Sequence, residues 1–94
     1  MAAMLGRFKV QDYDKWRQVF ESKAELRKGA GCTGTHIFIN ADDKNDITVN
    51  FQWDTAENAK AFISSDTARQ AMQEAGVIGA PDAWIVEDGG RTAN

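Results

Sequence analysis

The clearest alternation in the chain runs from Ile47 to Trp53. Ile47, Val49, Phe51 and Trp53 fall on one side, and Thr48, Asn50 and Gln52 on the other, the period of two of a strand with unlike faces. Residues 4–10 (MLGRFKV), 34–39 (GTHIFI) and 82–88 (DAWIVED) read as three further strands. Between the first two, Tyr13, Trp16, Val19, Phe20 and Ala24 recur at helical spacing and predict one amphipathic helix over 13–28. Asp12 or Asp14 would start it, and Gly29 and Gly31 would end it. Residues 40–46 are dense in turn formers and predict a hairpin loop. Asp54 or Thr55 caps a helix with Ala56, Ala59, Phe62 and Ile63 inward. A second cap at Asp66 opens a short helix with Ala68, Ala71, Met72 and Ala75 inward, and Gly76, Gly79 and Pro81 then predict a loop.

The resulting order is β-α-β-β-α-β. Crossovers between parallel strands are right-handed, which leads to an α+β, ferredoxin-like sandwich with a four-stranded antiparallel sheet. One domain is expected over 1–94, with an ordered core over about 4–88 and a frayed tail at 89–94. Strand parity turns Phe8, Val10, Ile37, Ile39, Val49, Phe51, Ala83 and Ile85 towards the helices. The opposite parity collects Leu5, Arg7, Lys9, His36, Phe38, Thr48, Asn50, Gln52, Trp84 and Val86. Exposing Leu5, Phe38, Trp84 and Val86 together would leave an apolar patch, and such patches mark interaction surfaces. A two-fold homodimer with sheet packed on sheet would cover it.

Composition narrows the function classes. Eleven basic against fourteen acidic residues give a net charge of −3, which lacks the basic footprint of a nucleic-acid binder. No apolar run is long enough to span a membrane, and the N-terminal stretch does not read as a signal peptide. A single cysteine fits a reducing compartment, so a cytoplasmic location is expected, and a single histidine excludes multi-histidine zinc sites. No metal or other cofactor is expected. Asp42, Asp43 and Asp46 lack the glycine and distal glutamate of a calcium loop and read as a solvated hairpin tip. Cys32 reads as a small packing residue.

Several runs together resemble a known group. They are Tyr13-Asp-Lys-Trp16, Phe20-Glu-Ser, Arg27-Lys-Gly-Ala-Gly31, Phe38-Ile-Asn-Ala-Asp-Asp, Phe51-Gln-Trp-Asp54, Ala59-Lys-Ala-Phe62 and residues 71–81. The chain is similar over about residues 4–88 to the dimeric α/β-barrel proteins. Within them it resembles the small antibiotic-biosynthesis-monooxygenase-like and cyclase-like proteins. The resemblance implies the ferredoxin-like fold, a dimeric α/β barrel, and a small aromatic or polyketide-like ligand between sheet and helices. For the oxygenases among those proteins it also implies turnover without a cofactor. Their pockets hold a phenolic substrate with amide, indole and guanidinium groups.

The matching residue types here are Arg7, His36, Asn50, Gln52 and Trp84, with Phe38 beside them. His36 would act as base, and Asn50 or Arg7 would hold a developing oxyanion. Phe38, Gln52 and Trp84 would bind the ring. The alternative is a non-catalytic dimer module in which Asn50 and Gln52 pair across the interface and Trp84 packs. His36 lies in a strand, whereas haem degraders of this fold bind iron through a helical histidine, so haem is not expected.

Overall fold

A computed structural model describes residues 2–94. The elements run β1 (Ala2–Val10), α1 (Tyr13–Ser22), α2 (Ala24–Ala30), β2 (Cys32–Asn40), β3 (Asp43–Trp53), α3 (Ala56–Ile63), α4 (Asp66–Glu74) and β4 (Val77–Glu87). The sheet is antiparallel throughout, in the order β2-β3-β1-β4. This is the expected ferredoxin-like sandwich, with each helical crossover made of two helices. The chain after Glu87 carries no regular element.

The helix expected over 13–28 breaks at Lys23, which ends α1 and precedes α2. Asp12 is the N-cap of α1, and its carboxylate accepts from the Asp14 and Lys15 amides. Gly29 lies inside α2, and Gly31 alone terminates it. Gly31 has φ 114°, and a Cβ there would come within 2.6 Å of the Asp54 carboxylate, so only glycine fits. Thr55 caps α3, whereas Ser65 rather than Asp66 caps α4.

Two predicted loops are strand. The hairpin turn is only Ala41–Asp42, and residues 43–46 extend β3. Gly79 and Pro81 lie within β4, where the register with β1 jumps from Arg7–Asp82 to Lys9–Ile78. A bulge on an edge strand accommodates both residues, since Pro81 has no N–H to pair and Gly79 takes φ 70°.

The core lies between the helices and one sheet face. Ala2, Met4 and Val10 of β1 and Ile47, Val49, Phe51 and Trp53 of β3 are buried there with Trp16, Ala59 and Ala75. Trp16 stacks on Phe20 at 4.8 Å and tilts against Phe8 at 5.6 Å. Ile39 pairs with Ile47 on this face but remains exposed, because it sits near the end of an edge strand.

Candidate functional site

The pairing registers place the six sequence-predicted site residues on the sheet face away from the helices. His36 pairs with Asn50, Asn50 with Leu5, and Leu5 with Trp84, so the four form one row across the sheet. Phe38, Thr48, Arg7 and Asp82 form the next row. His36 stacks on Phe38 with ring centroids 4.1 Å apart. Gln52 Nε2 donates to Asn50 Oδ1 at 2.9 Å. Trp84 is 53% exposed and Phe38 48%.

Arg7 is engaged within this face. Its Nη2 and Nε donate to Asp46 Oδ2 and Oδ1 at 2.7 and 3.1 Å, a bidentate pair, and Asn40 Nδ2 adds a longer contact at 3.4 Å. The Arg7 hydrogen bonds hold the Asp46 carboxyl below the usual carboxylate range. A carboxyl lowered in the folded state stabilises fully above its unfolded pKa of about 4. That contribution fades as pH falls through the lower folded value. Asp46→Asn should therefore lower the urea midpoint at pH 7, with a smaller gap to wild type at pH 3. An equal gap at both pH values would show that the charge is immaterial.

The enclosed space is on the other side of the sheet. A cavity of about 120 Å³ lies between the helices and β1, β3 and β4. Met4, Gly6, Phe8 and Phe51 line it from the sheet, Trp16 from α1, Ala68, Ala71 and Met72 from α4, and Ala75 from the cap after α4. None of the six predicted residues reaches it. It opens to the surface, since its lining includes Leu26, which is 47% exposed, and the exposed Thr67, Asp82 and Ala83. The void exists because α4 and β1 present alanine and glycine opposite large rings.

One charged side chain on this wall is deeply buried and was not singled out by sequence reasoning. Arg27 is only 8% exposed; its Nη1 donates to the Phe20 carbonyl at 2.8 Å, and its guanidinium lies 3.7 Å from the Phe20 ring centroid. Burial pushes its pKa down. Spacing carries a partial signal, because in the single helix expected over 13–28 Trp16, Phe20 and Arg27 would share one stripe, and Arg27 stays against Phe20 despite the break at Lys23. Arg27 and Phe20 also line a shallow outer groove with Arg17, Glu21 and His36, so they stand between groove and cavity. Of the six predicted residues, His36 alone touches that groove.

Cys32 is buried, its Sγ donates to the Gly34 carbonyl at 3.4 Å, and burial pushes its thiol pKa up, which disfavours the nucleophilic thiolate. Among the described residues no three His, Cys, Asp or Glu side chains cluster to hold a metal ion, and no helix is long and apolar enough to cross a membrane.

No family model matches the sequence, and no curated protein matches it either. Solved structures match along nearly the whole chain. A candidate antibiotic biosynthesis monooxygenase from Bordetella bronchiseptica superposes with a TM-score of 0.79 at 15% identity, covering 93% of this chain and 95% of that one. SnoaB, a cofactor-independent oxygenase from Streptomyces nogalater, gives 0.78 at 11% identity, covering 99% and 97%. A second candidate monooxygenase, from Deinococcus radiodurans, gives 0.72 at 14% identity, covering 100% and 98%. The chain thus has the fold of the antibiotic-biosynthesis-monooxygenase-like proteins, as its sequence resemblance implies. Fold at this identity does not assign chemistry.

Proposed function

We propose that this protein is a homodimeric, cofactor-independent monooxygenase that binds a single-ring phenol in the helix-side cavity. The observation that supports this most is the cavity itself, apolar in lining and open to the surface. A void of roughly 150 Å³ holds one benzene ring, so this space suits one ring better than a fused polyketide skeleton. In the proposed reaction a phenol and O₂ give a quinone and water, one oxygen atom entering the ring. Deprotonation of the phenol is the first step, and its proton leaves through the cavity opening to solvent, because His36, the base expected from the sequence, lies on the opposite sheet face and does not line the cavity. The fold shared with a cofactor-independent oxygenase supports the reaction class.

Filling the cavity tests the reading. Ala71→Leu adds a branched side chain from α4 into the void, so the melting temperature should hold or rise, as cavity filling commonly adds ~0.5–2 kcal/mol. Oxygen uptake with a phenol that the wild type converts should fall at least ~30-fold, because a few lost ring contacts remove ~2 kcal/mol of binding. Unchanged uptake by a folded Ala71→Leu protein would move the site out of the cavity.

The open sheet face carries the other half of the proposal. Phe38, Ile78 and Trp84 are large, apolar and about half exposed on it, with Leu5 and Val86 between. A second copy of the chain packed sheet to sheet would cover them, and Arg7, Asn50 and Gln52 would then lie in the seam.

A further inference from the structure

We infer that the molecule bound in the helix-side cavity carries a carboxylate and that the Arg27 guanidinium holds it. This rests on reading the cavity as a ligand site and adds the ligand's charge. A guanidinium has five N–H donors, and Arg27 gives one to Phe20. Phe20 covers one face of its plane. Among the described residues, the six ion pairs of the chain involve other side chains, and no carboxylate lies within 4.0 Å of Arg27. Apart from the Phe20 carbonyl no protein acceptor among the described residues takes its N–H groups, and the free ones keep contact with solvent, so they are open to a ligand.

The surrounding charges fit an anion. Lys23, which also lines the cavity, is bound to Glu74 at 3.0 Å, so that carboxylate is already neutralised. Asp82 lines the cavity, but its backbone carbonyl faces Gly6, while its carboxylate acts on Arg7, its register partner on the open face. In the adjoining groove Glu21 is paired with Arg17 at 2.9 Å. Arg27 is therefore the unpaired charge on this wall. Its planar fork matches a carboxylate with two parallel hydrogen bonds, while the ring enters the apolar space beyond.

The experiment compares 4-hydroxybenzoate with its neutral counterpart 4-hydroxybenzamide by titration calorimetry. A charge-assisted fork should favour the acid by roughly 10- to 100-fold. Arg27→Met should abolish that preference while retaining affinity for the amide, and Arg27→Lys should keep only part of it. In the wild type, the Arg27 side-chain Nε–Hε resonance should shift on adding the acid and not on adding the amide. This readout decides the matter even if Arg27→Met fails to fold. Equal binding of acid and amide overturns the carboxylate inference and leaves the cavity reading standing. A preference that survives Arg27→Met in a folded protein, or an unmoved Arg27 resonance, overturns it as well. Binding of neither compound overturns both readings.

Discussion

Trp53→Ala should cost ~3–5 kcal/mol of folding stability, against the ~5–15 kcal/mol that holds a domain of this size together. Trp53 is fully buried at the end of β3, its ring 5.4 Å from Phe62 of α3. Truncation removes the contact that ties α3 to the sheet and leaves a void that the backbone cannot close. Trp53→Phe separates packing from polarity. The indole Nε1 is buried and has no hydrogen-bond partner, so its desolvation is uncompensated in the native protein. Phenylalanine removes that penalty while keeping one ring against Phe62. Its cost should stay below half that of Trp53→Ala. Urea midpoints of the two variants decide the point. Equal losses would mean that the N–H contributes after all.

Much of this architecture is legible in the pattern of residues. The period of two from Ile47 to Trp53 places Asn50 opposite Phe51, and the register confirms that His36, Asn50 and Trp84 share a face. Parity survives because the β4 bulge falls at residues 79–81, before Trp84, and the β3 irregularity falls before Ile47. The breaks were harder to read. Gly79 and Pro81 disfavour a strand interior, yet an edge bulge takes both. Lys23 carries no helix-breaking side chain, and nothing in its neighbours marks the end of α1.

The cavity was the least legible feature. Ala68, Ala71 and Ala75 were recognisable as an inward stripe, and small inward residues ordinarily mean close packing. Whether they close up or leave a void depends on how far the helices stand from the sheet, and here Trp16, Phe20 and Phe51 hold them apart. Arg27 is hard to read from sequence for a related reason. A long cation near a helix end reads as solvated, whereas the break at Lys23 sets α2 so that Arg27 packs on the Phe20 ring and carbonyl. Arginine buries its stem readily while its head keeps contact with water, and here that head has no carboxylate partner among the described residues.

The second large effect concerns the open face. Wild-type protein should scatter light as a particle of twice 10.4 kDa at micromolar concentration, and Phe38→Asp with Trp84→Glu should scatter as the monomer. Four strands of 9 to 11 residues offer a face on the order of 600 Å². That approaches the ~800 Å² per partner of a stable interface before loops add to it. Two-fold symmetry brings each substituted residue into the seam twice. An unpaired charge taken out of water there costs several kcal/mol or forces the group to neutralise. The dissociation constant should therefore rise by at least ~10³-fold, since each 1.4 kcal/mol is tenfold. Because both residues are about half exposed in the protomer and outside the helix-side core, the variant should keep its helical circular dichroism and a cooperative unfolding transition. That separates loss of the partner from loss of the fold. A wild-type monomer would refute the dimer, and a doubly charged variant that still dimerises would put the second copy elsewhere; either result would leave Phe38 and Trp84 for another partner.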